Sequence, residues 1–182
     1  MKKSAKGLLA ALVLLFAAPL SAGDFDWSQF WCNYGGGIEK GDLIVNVDLG
    51  LEFGLLGWIG GGGWFIPPVM AELQVAQPIW KLPFTFGGYA GISGFGWDKY
   101  GIFIIKFGGE AAYHVMLPPE KLDVYLSLKL GGDIYLGEFV GFNPFNFTFG
   151  GSLGATWYFT DLIGVNLEVG YPMIKAGVSL KF

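Results

Sequence analysis

From Leu43 to the carboxyl terminus the chain alternates apolar and polar side chains with a period of two, the spacing of a strand with one apolar face. Eight such stretches can be read: about 43–56, 67–77, 83–96, 102–117, 122–137, 146–159, 162–171 and 173–182. The fifth is the clearest, with Leu122, Val124, Leu126, Leu128, Leu130, Ile134 and Leu136 against Asp123, Tyr125, Ser127, Lys129, Asp133 and Tyr135. The last sets Ile174, Ala176, Val178, Leu180 and Phe182 against Lys175, Gly177, Ser179 and Lys181. Between the stretches stand turn formers, among them Gln77-Pro78, Pro118-Pro119-Glu120-Lys121, Asn143-Pro144, Thr160-Asp161 and Tyr171-Pro172.

The charged residues give the two phases a meaning. Asp48, Glu52, Glu72, Lys106, Glu110, Asp123, Lys129, Asp133, Glu168, Lys175 and Lys181 all fall on the polar phase, and no charge falls on the apolar one. Two architectures satisfy this pattern: a soluble barrel with its apolar face around a ligand, or a membrane barrel with that face in lipid. Three features favour lipid. Most stretches reach the roughly 9–11 residues that a tilted membrane strand needs. With the first strand running outward, the apolar-phase aromatics gather at two rims. Phe84, Phe86, Tyr113, Trp157, Phe159 and Phe182 form one rim; Phe53, Phe103, Phe147, Phe149 and Tyr171 form the other. The polar phase is also rich in glycine, which suits the crowded interior of a small barrel. The expectation is an all-β, eight-stranded, antiparallel up-and-down transmembrane β-barrel over residues 43–182. Its first and last strands must pair, because an open backbone edge in hydrocarbon costs several kcal/mol per group.

The segment before the barrel reads differently. Lys2, Lys3 and Lys6 precede an apolar run, Gly7 to Ala18, then Pro19 and the small residues Ser21, Ala22 and Gly23. This is the pattern of a cleaved secretory signal over residues 1–23, since a run of about twelve is short of the roughly 20 needed to span. In residues 24–42, Trp27, Phe30, Trp31 and Tyr34 follow i, i+3, i+4, i+7 spacing. A short amphipathic helix, lying at a membrane interface or plugging a barrel mouth, and a plain extension of the first strand both fit. Cys32 is the sole cysteine and lacks the small preceding residues of a lipid-attachment site, so it reads as structurally incidental. At 53% hydrophobic and 18% aromatic the chain is too apolar for disorder, and its 31 glycines exclude a helical bundle. The net charge of −4 argues against a nucleic-acid partner.

The closing strand, with Val178, Leu180 and a terminal Phe182, resembles the last strand of bacterial outer-membrane β-barrel proteins. Residues 43–182 resemble the small eight-stranded members of the OmpA-domain, OmpX and OmpW sort in pattern and strand count. That resemblance implies an outer-membrane location, with the bilayer and the barrel-assembly machinery as partners and Phe182, Leu180 and Val178 as the assembly signal. It also implies a structural or interaction role, or a narrow passage for small polar or hydrophobic molecules.

Chemistry is sparse. His114, the only histidine, lies opposite Tyr125 if the fourth and fifth strands turn at 118–121, with Asp123 and Ser127 as diagonal neighbours. A Ser127–His114–Glu110 relay would suit a lipid-modifying enzyme. The resemblance to such barrels fails at Met116, where they carry Ser two residues after the His, and a lumenal histidine in a polar network is the better reading. The other inward charges, four lysines and seven acids, must pair in a narrow lumen, so each lysine is expected to meet a carboxylate. No phosphate loop, metal cluster or nucleotide signature is present, and neither metal nor cofactor is expected.

Overall fold

The computed structural model describes residues 30–53, 63–97, 100–137 and 143–182. The signal-like leader, residues 24–29 and the segments 54–62, 98–99 and 138–142 lie outside the described residues. Eight strands follow in order: β1 Leu43–Glu52, β2 Trp64–Ala76, β3 Phe84–Trp97, β4 Tyr100–Met116, β5 Leu122–Gly137, β6 Phe145–Tyr158, β7 Ile163–Tyr171 and β8 Met173–Lys181. Each pairs antiparallel with the next, and β1 closes on β8 from Ile44↔Lys181 to Glu52↔Met173. The chain is thus a closed up-and-down transmembrane β-barrel. The terminal end carries Phe182 and three short turns; the loop end carries the other connections.

Closure sorts the two phases as the alternation requires. Leu49, Leu73, Ile92, Phe107, Leu128, Leu153, Leu167 and Val178 stand outside and exposed, while Asp48, Glu72, Lys106, Glu110, Ser127 and Glu168 are buried within. This inversion of the usual soluble pattern is the lipid-facing arrangement of a membrane barrel. β2 begins at Trp64, earlier than expected, and takes up Pro67 and Pro68 at a register shift between Ile66 and Val69. Proline has no N–H to give the ladder, and a bulge accommodates it.

Among the described residues ahead of β1, 30–42, there is neither helix nor strand; Trp27, the first position of the expected helical spacing, lies outside them. Phe30 to Cys32 form a turn, Asn33 a bend and Tyr34 is irregular, and the first two carbonyls are taken by the barrel. The Met116 N–H donates to Phe30 O (3.2 Å), and the Tyr113 hydroxyl donates to Trp31 O (2.6 Å). Phe30 packs outside, against Leu117, Leu122 and Val124. Those three belong to the lipid-facing phase, yet they are buried here under protein rather than exposed to lipid. The chain then crosses the end of the β4–β5 hairpin into the lumen. Gly35 sits in the crossing, where a Cβ would lie against the Leu122 carbonyl oxygen and 2.8 Å from the Asp123 Cα. Gly36 and Gly37, both at φ +63°, turn the chain across the mouth, a conformation L side chains adopt at a cost. We expect Gly35→Val to undock this segment and speed tryptic cleavage after Lys40 several-fold, read by mass spectrometry of the folded protein; unchanged cleavage would mean that the crossing is not what holds it.

At the loop end the wall is uneven. β3 and β4 pair as far as Trp97↔Tyr100, and β4 and β5 as far as Ile102↔Gly137. β7 stops at Tyr171, opposite Gly151, so residues 145–150 of β6 have only β5 as a strand neighbour among the described residues.

Candidate functional site: the filled lumen

The lumen is built in layers, because each strand contributes one inward side chain every second residue. The mouth at the terminal end is filled from the N-terminal segment. The Tyr34 hydroxyl donates to Phe84 O (2.6 Å), and its ring stands 5.5 Å from the His114 ring. Burial, and secondly the Asp123 carboxylate, push the Tyr34 phenol up to about 12, so it remains a donor throughout the physiological range. Ile38 packs with Ile44, Ala76 and Tyr158. Lys181 donates to Gly36 O (2.9 Å) and Gly37 O (2.6 Å), with its ammonium 4.9 Å from the centre of the Tyr158 ring. Among the described residues, the expectation that every inward lysine meets a carboxylate is not met at Lys181. Carbonyl dipoles and an aromatic face solvate this cation instead.

Behind the mouth lies His114, 2% exposed. Its Nδ1 is 2.9 Å from Asp123 Oδ1, and its Nε2 is 2.9 Å from Thr85 Oγ1. His114 faces Tyr125 across the β4–β5 ladder, as the turn at 118–121 demands. The Ser127–His114–Glu110 relay is not assembled. Ser127 bonds Ser152 at 2.6 Å, and Ser152 donates to Glu168 (2.7 Å). Thr85, His114 and Asp123 do stand in the order of a hydrolytic triad. Thr85, however, is fully buried and its hydroxyl donates to Gln74, which leaves no room at the oxygen for a substrate.

The middle of the lumen holds two lysines among four carboxylates. Lys129 Nζ lies 2.7 Å from Glu72, 2.6 Å from Glu168 and 3.4 Å from Glu110. Lys175 Nζ lies 2.9 Å from Asp48 and 3.1 Å from Glu168, and it also bonds Glu72. Glu72 and Glu168 are thus shared by both cations, and Asn46, Tyr125 and Ser152 add donors to them. Such sharing is what makes burial of charge tolerable. Glu110 accepts no hydrogen bond among the described residues; the Lys129 charge is its partner. Oxygens of Glu72, Glu110 and Glu168 come within 4.8 Å of one another, close enough to hold a metal ion, but the Lys129 ammonium already takes the place a cation would occupy. Gly154 makes the cluster fit: a Cβ there would overlap the Tyr125 ring.

Towards the loop end a third layer joins Lys106 to Glu52 and to Asp133 at 3.3 Å. Above it the interior turns apolar: Phe95, Ile102 and Ile104 are buried together with Phe65 and Tyr135 against them. The alternation did not single these out, although Ile102-Phe103-Ile104-Ile105 is apolar on both phases and marks the place where the lumen ceases to be polar.

The rim aromatics divide. Phe53, Phe103, Phe147, Phe149 and Tyr171 are exposed at the loop end, and Phe86, Trp157, Phe159 and Phe182 at the other. Phe84 and Tyr113 are half-buried, with ring centres 5.2 Å apart. In the last strand Val178 and Phe182 are exposed and Leu180 is half-buried, and Phe182 exchanges backbone hydrogen bonds with Leu43 (2.8 and 2.9 Å).

No protein-family model matches the chain, and no curated protein matches it. Among solved structures it is similar to the N-terminal β-barrel domain of Pseudomonas aeruginosa OprF, at 12% identity and TM-score 0.52, covering 79% of this chain and 98% of that one. A structure described under the de novo design of transmembrane β-barrels aligns at 14% identity and TM-score 0.48, covering 80% of this chain and 98% of that one. The likeness to the OprF domain is one of fold.

Proposed function

We propose that the protein is a non-conducting barrel of the bacterial outer membrane, with a structural or interaction role rather than a catalytic one. The observation that carries this reading is the mid-lumen cluster of Asp48, Glu72, Glu110, Lys129, Glu168 and Lys175. On either side of it lie cavities of about 540 Å³ at the loop end and about 510 Å³ at the terminal end. On the loop side a cavity of only about 40 Å³ reaches the cluster, lined by Glu72, Lys129 and Lys175 together with Phe149, Tyr171 and Pro172. A passage would require these ion pairs to part inside a low-dielectric wall, which costs several kcal/mol per stranded charge. The outer-membrane location is supported by the leader's secretory pattern and by a closing strand that ends in Phe182. The sealed surroundings of His114 and Thr85 support the non-catalytic part of the reading.

The test is conductance. Purified full-length protein inserted in planar bilayers is expected to leave the current at the level of the bare membrane in symmetric potassium chloride. Discrete, cation-selective current steps would overturn the reading in favour of a narrow passage whose selectivity follows the excess of carboxylates inside.

A further inference from the structure

The loop-end cavity of about 540 Å³ has three unlike sides. Its inner wall is apolar, made by Phe95, Ile104 and Tyr135 on the tall strands β3 to β5. Its floor is charged: Lys106 between Glu52 and Asp133. The lysine side chain is only 4% exposed, whereas Glu52 and Asp133 are 12% and 11% exposed. The floor therefore turns carboxylate towards the cavity and carries one more negative than positive charge. The third side is a low sill, where β7 and β8 turn at Pro172 and leave residues 145–150 of β6 without a β7 neighbour. Phe149 and Tyr171 line the cavity there, and they are 70% and 67% exposed on the lipid-facing side.

Each side restricts the occupant. A water-filled mouth would leave the apolar wall hydrated, so an apolar body is favoured against it. A carboxylate or phosphate head would meet Glu52 and Asp133 before it met Lys106, whereas an ammonium would pair with them. Among the described residues, the sill gives a chain a way out of the cavity onto Phe149 and the outer apolar face without crossing water. We propose that this cavity binds single-chain amphiphiles with a cationic head, the ammonium on Glu52 and Asp133 and the alkyl chain passing over the Phe149–Tyr171 sill. The site is independent of whether the lumen conducts, since it lies on the loop side of the charge cluster.

Dodecylamine, protonated at pH 7, is the probe. It would be titrated calorimetrically into full-length protein folded in nanodiscs of zwitterionic lipid, with empty nanodiscs subtracted. Dodecanoate and dodecanol serve as anionic and neutral controls of equal chain length. The expected result is saturable binding of one dodecylammonium per barrel, with both controls at the empty-disc level. Glu52→Gln with Asp133→Asn should weaken it by about tenfold or more, the loss of one charge-assisted contact. Because that pair also holds Lys106, Ile104→Trp provides a second variant: it fills the cavity from the apolar side, leaves the floor intact, and should abolish saturation. Absence of saturable dodecylammonium binding, equal binding of dodecanoate or dodecanol, or full affinity in both variants would each overturn the proposal.

Discussion

Lys175→Met is expected to destabilise the barrel by about 3–5 kcal/mol, the cost of leaving buried charge uncompensated. Among the described residues, Lys175 is the sole cation in contact with Asp48 and one of two on Glu72 and Glu168. Methionine keeps much of the volume and removes the charge, so Asp48 is stranded at 1% exposure, too deep for water to take over. The loss should appear as a lower midpoint of denaturant unfolding in bilayers at unchanged slope, since the surface exposed on unfolding is the same. Adding Glu72→Gln removes one of the excess negative charges, freeing Lys129 for the other carboxylates, and should return part of the loss. The double variant should therefore be more stable than the sum of the two single losses predicts. A loss below about 1 kcal/mol, the range of an exposed pair, would show that the cluster is hydrated and that the lumen is open to water.

The strands and their faces were legible because period two is written in the sequence wherever a sheet divides lipid from a polar lumen. The β4–β5 register was legible too: the turn at Pro118-Pro119 fixes the hairpin, and His114 falls opposite Tyr125 as it must. Pairing across the lumen was not legible. Lys129 meets Glu72, 57 residues away, and Lys175 meets Asp48, 127 residues away. The first pairing, between β5 and β2, is set by the width and stagger of the closed barrel; the second follows only from the closure of β1 on β8, which sets Asp48 diagonal to Lys175. Thr85 was missed because the β2–β3 turn carries no glycine or asparagine signal. Trp80 and Lys81 hold its positive φ angles of 50° and 71°, so the register that brings Thr85 to His114 left no mark. Lys181 was misassigned for a related reason: its partners are main-chain carbonyls, which every residue has. At Ile102 to Ile105 both phases are apolar, so the alternation carried no information about which side faces in, and the apolar inner wall escaped notice.

Leu128→Arg should cost about 2–4 kcal/mol when folding is measured in a bilayer, the penalty for a guanidinium held near mid-depth on the lipid face. Leu128 is 65% exposed, pairs with Ala111 on one side and Gly151 on the other, and has Leu126 and Leu130 above and below it on the same face. It stands next to Ser127, which points the other way and is fully buried. Ser127→Arg should also destabilise, but through the filled lumen: it breaks the bond to Ser152 and forces a cation and its bulk into closed space. The two penalties have different origins and can be separated by changing the surroundings. In a detergent micelle the guanidinium introduced on the outer face gains access to water, and most of its penalty should vanish. The Ser127→Arg penalty should persist, because the lumen is the same in both media. If Leu128→Arg cost nothing in the bilayer, or cost the same in micelle and bilayer, the outward phase would not be the lipid-facing one, and the barrel would have to be read with its apolar side against protein or ligand.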